Sequence, residues 1–316
     1  MNRKNVEIAH QRIKEFIHCT PVLQSSWMNE WLGAHVHFKC DQFQKSGSFK
    51  MRGALNAILS LSSEQQSAGV VTHSSGNFAQ ALSKAAQSIG VKAYIVMPEN
   101  APKVKVAAVK EYGGEVVFCE PSNEARQQMA DEIQVLKGAT FVHPSNDEDV
   151  IIGQGTAALE FMDQVPSLDV IFVPVGGGGL LGGTILASKN RCKVYAGEPT
   201  LVNDAYRSLK AGEILKNEST QTIADGLRTH LGDKNFPIIL NGVEEIICVS
   251  ETEILEAMKH VWERMKLIIE PSSAVAIAAV KKSRGLVDDT NVGIILSGGN
   301  IDVGSFFDEL EKNSLK

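Results

Sequence analysis

Short apolar runs alternate with stretches whose apolar residues recur three and four positions apart. The runs at 36–40, 69–73, 93–97 and 115–119 read as strands. Between and after them, 49–61, 78–89, 103–112 and 124–136 read as helices, with apolar residues at helical spacing. This alternation predicts a compact α/β unit with a mostly parallel sheet. A second series starts near residue 150, with a helix at 156–162 and strands at 170–175, 193–197, 245–249 and 294–296. Ser250 reads as an N-cap with Glu253 at the capping-box position, opening a helix that runs towards Lys266. The stretch 209–221 is the most loop-like, and there is no internal repeat or low-complexity linker.

A chain of 316 residues can bury a large core and is long enough for two domains. Its apolar fraction of 43% and charged fraction of 22% are those of a soluble globular protein. Net charge is −6 with no basic block, which argues against nucleic acid as the main partner. No apolar run approaches the ~20 residues of a membrane helix, and residues 1–17 mix charges without a signal-peptide core. The cysteines Cys19, Cys40, Cys119, Cys192 and Cys248 form no Cys-x-x-Cys pair. Such an odd, scattered set suggests reduced, mostly buried thiols in a cytoplasmic protein. His35 and His37 alternate along a strand; a metal pair is one reading, and partly exposed strand residues are the simpler one.

Candidate chemistry gathers at strand ends and helix starts, where open parallel sheets place ligands. Residues 45–53 read Lys-Ser-Gly-Ser-Phe-Lys-Met-Arg-Gly, with Lys50 beside Phe49 at a helix start. A lysine there can form a Schiff base with an aldehyde, or lie along the surface. Gly176, Gly177, Gly178 and Gly179 follow an apolar strand. Their N–H groups can converge on an anion, or the glycines can serve close strand–helix packing. The run is not Gly-x-Gly-x-x-Gly with a ribose-binding acid, and there is no P-loop sequence. Ser74, Ser75, Gly76 and Asn77 form a strand-end turn suited to a carboxylate or to simple capping. Ser297 ends another strand, where its hydroxyl could face a pyridine nitrogen. Glu198 and Asp204, six residues apart, could hold a hard divalent cation or be scattered surface acids.

Together, Lys-Ser-Gly-Ser-Phe-Lys-Met-Arg-Gly-Ala, Ser-Ser-Gly-Asn, Gly-Gly-Gly-Gly-Leu and Ser-Gly-Gly-Asn resemble the serine/threonine dehydratase and serine racemase family. These are pyridoxal 5'-phosphate enzymes of fold type II, and the likeness spans about residues 10 to 305. It implies an α/β fold like the tryptophan synthase beta chain, with two open, twisted, mostly parallel sheets flanked by helices. Residues 1–48 and 147–316 would form a large cofactor domain, and 49–146 a small domain with the substrate-carboxylate loop. The resemblance makes Lys50 the cofactor-bearing lysine and gives the phosphate to Gly176, Gly177, Gly178 and Gly179. It gives the ring oxygen to Asn77 and the pyridine nitrogen to Ser297, with Phe49 packing near the ring and Gly226 close to it. Ser74, Ser75, Gly76 and Asn77 take the substrate carboxylate, and Ser75 is the hydroxyl opposite the lysine.

The racemase branch is the nearer match. It implies Mg²⁺, Ca²⁺ or Mn²⁺ at Glu198, Asp204 and the Val202 carbonyl, and resembles an ATP effector site at Ser25, Ser26, Lys45, Ser46, Tyr112 and Lys266. A homodimer is also implied. Phe78 departs from the family's usual histidine, and 145–149 from the common dehydratase loop. With no regulatory domain after residue 316, a feedback-regulated threonine deaminase is not expected. The implied activity is serine racemisation and dehydration of L-serine, with L-threonine as a further substrate, through α-proton removal by Lys50. The enzyme rival is 3-hydroxyaspartate dehydratase, with Arg126 as one candidate for a second carboxylate. A binding protein that has lost catalysis is a rival of another class, opposed by the intact Lys50, Asn77 and Ser297.

Overall fold

The computed structural model describes residues 1–288, 290–302, 304 and 307. Among them, one sheet runs from edge to edge as β1 (Val22–Leu23), β2 (His35–Cys40), β10 (Asn291–Leu296), β7 (Val170–Pro174), β8 (Lys193–Pro199) and β9 (Glu245–Val249). Only the β1–β2 pair is antiparallel. A second, all-parallel sheet runs β5 (Glu115–Cys119), β4 (Ala93–Pro98), β3 (Val70–His73), β6 (Thr140–Phe141). This is the two-sheet α/β architecture of fold type II.

Side-chain alternation explains the layers. Val170 and Phe172 of β7 enter a core with Phe38, Val275 and Ile277, while Ile171 and Val173 enter a second core with Ala157, Phe161 and Leu181. The helix Pro271–Lys282 covers one face, and the helices Glu148–Gln164 and Gly179–Ser188 the other. Every residue of β7 is buried, as is every β4 residue. Strands covered on both faces read as continuous apolar runs, which is why they were legible. The smaller sheet likewise separates a core around Leu55, Phe78 and Ile95 from one around Val71, Tyr94 and Ile133.

Some expectations need revision. The helix expected at 156–162 spans Glu148–Gln164 and starts at Asp147, whose side chain accepts the Val150 N–H at 3.1 Å. Gly153 and Gly155 break its apolar periodicity, yet they are close-packing positions. A Cβ on Gly155 would lie 2.5 Å from the Gly183 carbonyl oxygen. The helix opened by Ser250 has its expected capping box, but after His260 it widens into a π turn, Val261–Met265, closed by left-handed Lys266 (φ 61°). The thiols are less buried than expected: Cys40 and Cys119 are buried, Cys192 and Cys248 half-buried, and Cys19 exposed. The helices Arg3–Ile13 and Ser26–Leu32 were not anticipated.

A buried ion cluster binds β2 to two helices. Arg52 donates to both Asp41 oxygens at 2.7 and 2.9 Å and to both Glu160 oxygens at 3.2 and 3.0 Å. Lys39 donates to Glu160, to the Thr20 carbonyl and to Gln164. Burial alone would raise the Glu160 pKa, but the Arg52 and Lys39 charges and hydrogen bonds overcome it and hold it at about 2. Glu160→Leu leaves Lys39 buried without its carboxylate and is expected to cost about 3–5 kcal/mol, read from the denaturant midpoint in equilibrium unfolding.

Candidate active site

Lys50 opens the helix Lys50–Ser60, anchored by the Phe49 N–H donating to the Ser297 carbonyl at 2.9 Å. The half-buried Lys50 sends its amine to the Pro144 carbonyl at 2.9 Å. The amine also lies 5.0 Å from the Phe49 ring centre and 5.8 Å from that of Phe78. Loss of water around the amine lowers its pKa to about 8, against the opposing pull of the Glu270 charge.

Glu270 is buried at the N-cap of the helix Pro271–Lys282. Asn77 donates to its two oxygens at 3.0 and 2.8 Å and accepts from Asn300 at 3.0 Å. Asn300 also donates to the Ser46 carbonyl at 2.8 Å. These partners orient the Asn77 amide unambiguously, nitrogen towards Glu270. Burial raises the Glu270 pKa to about 7, despite the stabilising Asn77 bonds.

The turn before Asn77 leaves donors open. The helix Asn77–Ser88 has Gly76 as N-cap and no side-chain cap. The Ser74 N–H donates to the Val96 carbonyl, and the Ser74 hydroxyl accepts from the Gly76 N–H at 3.4 Å. The half-buried Ser75 hydroxyl makes no hydrogen bond among the described residues.

The glycine run joins β7 to the helix Gly179–Ser188, which also lacks a side-chain cap. Gly178 is left-handed (φ 79°), and a Cβ there would lie 2.6 Å from the Asn235 side-chain oxygen. A Cβ on Gly176 would lie 2.7 Å from the Leu227 Cα. The Asn235 amide holds the turn by donating to the Gly177 carbonyl at 2.7 Å and the Ser145 carbonyl at 3.2 Å. The loop that meets Lys50 through Pro144 therefore meets the glycines through Ser145. Uncapped N–H groups on a turn too tight for side chains suit a phosphate. Gly226 donates to the Ser272 hydroxyl at 3.2 Å, and the buried Ser297 hydroxyl lies 3.1 Å from that of Ser273.

Glu198 and Asp204 are fully buried. The Glu198 oxygens accept the Ala205 and Tyr206 N–H groups, each at 2.8 Å. One Asp204 oxygen accepts the Leu231 N–H at 3.2 Å, and the other has no partner among the described residues. Burial raises the pKa values to about 8 and about 6. Val202 is also buried. No cluster of three His, Cys, Asp or Glu side chains suited to a metal occurs among the described residues. His35 is exposed, and the His37 ring meets Gln24 at 3.3 Å, so these residues are plain strand positions.

The six effector candidates are not joined to one another by hydrogen bonds among the described residues. Ser25 caps the helix Ser26–Leu32, and Lys45 and left-handed Ser46 lie in a 3-10 turn. Tyr112 ends the helix Lys103–Glu111 with Lys84 over its ring, and Lys266 bonds the Glu263 carbonyl. Sequence reasoning assigned no role to Glu270, Pro144, Ser145 or Asn235. Glu270-Pro271 carries a helix-opening signal, and Ser145 opens the 145–149 stretch that departs from the common dehydratase loop.

A desolvated lysine joined through the Pro144–Ser145 loop to an uncapped glycine turn, set on two mostly parallel sheets, defines an α/β enzyme of fold type II built around an aldehyde cofactor. Residues 13–298 match the family model described as pyridoxal-phosphate dependent enzyme, and the chain belongs to that family. It is 50% identical over 309 residues to a serine racemase of Dictyostelium discoideum, covering 96% of this chain and 95% of the relative. It is 44% identical to a beta-hydroxyaspartate dehydratase of Paracoccus denitrificans, covering 93% of this chain and 95% of that one. The structure of maize serine racemase superposes with a TM-score of 0.94 at 42% identity, covering 99% of this chain and 98% of that one.

Glu270 carries a pH-dependent consequence. Its folded pKa of about 7 lies above the ordinary 4.5, so its contribution to stability is full below pH 4.5 and lost as pH rises through about 7. In cofactor-free protein, Glu270→Gln is expected to remove that component of the fall. The melting temperature of wild type relative to the variant should decline from pH 4.5 to 7.

Proposed function

We propose that this protein racemises serine and dehydrates L-serine to pyruvate and ammonia, with L-threonine as a further substrate. The observation that carries the reading is the Lys50 amine, lowered to about 8 and held at 2.9 Å from the Pro144 carbonyl. The 50% identity to a serine racemase supports the choice of substrate.

Gly176, Gly177, Gly178 and Gly179 would hold the phosphate of pyridoxal 5'-phosphate at the uncapped helix start. Asn77, whose N–H groups go to Glu270 in the cofactor-free protein, would turn one of them to the ring oxygen, and Ser297 would face the ring nitrogen. Phe49 would pack near the ring, with Gly226 close by. The bound cofactor supplies an electron sink for negative charge at the substrate α-carbon. The turn Ser74, Ser75, Gly76 and Asn77 binds the substrate carboxylate through its open donors. Lys50 takes the α-proton, a task suited to an amine that titrates near neutral pH. Return of a proton from the opposite face, by the Ser75 hydroxyl, gives the other enantiomer. Alternatively the β-hydroxyl leaves as water with the proton that Lys50 took, and addition of a water in hydrolysis then gives the keto acid and ammonia.

Glu198, Asp204 and the Val202 carbonyl are assigned to Mg²⁺, or to Ca²⁺ or Mn²⁺. Two buried carboxylates and an unpartnered Asp204 oxygen fit a hard cation. The cation would neutralise charge and brace the start of the helix Asp204–Ala211. Residues 1–48 and 147–316 are assigned to the large domain and 49–146 to the small one. All four strands of the smaller sheet fall in the latter range, and residues 308–316 lie outside the described residues. The homodimer, the cytoplasmic location, and ATP at Ser25, Ser26, Lys45, Ser46, Tyr112 and Lys266 rest on family resemblance.

A second reading, 3-hydroxyaspartate dehydratase, is favoured by the 44% identity to that enzyme. Arg126, the candidate for a second carboxylate, donates to the Ser122 carbonyl at 3.2 Å.

Incubating cofactor-loaded protein with L-serine and Mg²⁺ is expected to yield D-serine and pyruvate together. Lys50→Ala should lower both rates by about 10³-fold or more. Rapid hydroxyaspartate turnover with little serine turnover would transfer the assignment to the second reading. For the cation, Mg²⁺ at about 100 times its dissociation constant should stabilise the protein by about 2.7 kcal/mol. Asp204→Ala should abolish that thermal shift. An unchanged shift would rule out the assigned site.

A further inference from the structure

We propose that His143 is a positioning residue whose imidazole Nδ1, by accepting two backbone N–H groups, holds the Pro144 carbonyl against the Lys50 amine. The inference rests on the reading of Lys50 as catalytic base.

His143 lies between β6 and the helix Glu148–Gln164. Its Nδ1 accepts the Ser145 N–H at 3.2 Å and the Asn146 N–H at 2.8 Å. A nitrogen that accepts two N–H groups carries no proton, so the ring proton sits on Nε2. The two bonds fold the loop back on its own ring with Pro144 inside the fold. Proline has a fixed φ and no N–H, so its polar backbone atom is the carbonyl that receives Lys50 at 2.9 Å.

The far end of the loop is fastened separately. The Ser145 carbonyl accepts from Asn235 at 3.2 Å, Asn146 donates to Asp233 at 2.7 Å, and the Lys234 N–H donates to Asn146 at 3.0 Å. The His73 and Phe141 rings stand edge-on to the imidazole, at 6.1 and 6.3 Å between centres. Protonation of Nδ1 would set a third N–H against two donors. Burial, followed by the charges of His73, Lys50, Lys234 and His230, lowers the His143 pKa to about 4, consistent with a neutral ring. The imidazole therefore fixes one wall of the Lys50 site without needing to touch the substrate.

The test joins a tautomer measurement to two variants. In nitrogen-15 spectra of the full chain, with and without cofactor, His143 should show an unprotonated Nδ1 that stays neutral at pH 5. In L-serine turnover, His143→Leu should lower kcat by about 10–100-fold with KM within about threefold, the signature of a displaced reacting group. His143→Asn should recover most of the loss, because an Asn side-chain oxygen accepts the N–H two residues on. A protonated Nδ1, wild-type kcat in His143→Leu, or equal losses in both variants would overturn the proposal. If His143→Leu does not fold, the wild-type tautomer decides. Wild-type turnover in Lys50→Ala would sink the reading of Lys50 instead, leaving the tautomer result standing.

Discussion

The Arg52 guanidinium is the constraint from which the site takes its orientation. It is fully buried, and its planar donors are divided between Asp41, beside β2, and Glu160, on a helix more than a hundred residues away. Such a cluster is poor evidence for net stability, because desolvating four charged groups offsets most of their attraction. Its geometric effect is stronger. Any rotation of the helix Lys50–Ser60 about its axis would leave a buried charge unmatched. Lys50 lies two residues before Arg52, about 200° around the same helix. Fixing Arg52 towards the cluster thus aims Lys50 to the other side, towards Pro144.

The same helix is fixed in depth by glycine contacts. A Cβ on Gly53 would lie 2.8 Å from the Val150 carbonyl oxygen, and one on Gly153 would lie 2.7 Å from the Gly53 Cα. Gly155 then meets Gly183 on the helix that follows the glycine run. Three helices thus touch backbone to backbone in series, with Lys50 at the start of the first and the glycine turn at the start of the last. Interiors packed this closely transmit displacement rather than absorb it. The separation between the Lys50 main chain and the turn is therefore set by main-chain contacts, while the Pro144 carbonyl holds the amine at the end of its side chain.

These contacts explain what was legible in the sequence. Strands covered on both faces, such as β4 and β7, announce themselves as apolar runs, and Ser250 with Glu253 announces a helix start. Lys50, the Ser-Ser-Gly-Asn turn and the glycine run stood out because each sits at a strand or helix end with a distinctive composition. The helix Glu148–Gln164 was half hidden because Gly153 and Gly155, its packing positions, mimic breaks in a helix. Glu270 and His143 were hidden for a different reason. Their importance lies in partners 193 residues away for Glu270, through Asn77, and in a main-chain turn for His143. No local spacing encodes the Glu270 contact, and the His143 turn, though local, gains its use only from the Lys50–Pro144 contact 94 residues apart. The buried fate of Glu198 and Asp204 was equally invisible, since burial belongs to the fold rather than to the six-residue interval.

Buried carboxylates in this protein separate into two kinds, and the difference is physical. Glu160 meets Arg52 and Lys39, and its pKa is held at about 2. Glu270, Asp204 and Glu198 are just as removed from water but have no bonded side-chain cation, and burial carries them to about 7, 6 and 8. Burial is the largest influence on all four, so the presence of matched cations decides the direction. A framework carboxylate is completed by the chain itself. Glu270 is met by neutral donors, chiefly the amide of Asn77, and Asp204 keeps an oxygen without a partner among the described residues. Such incomplete neutralisation is costly to a fold unless something outside the chain supplies the missing charge or proton. That sets these two places apart from the more heavily charged Arg52 cluster, whose carboxylates the chain itself neutralises.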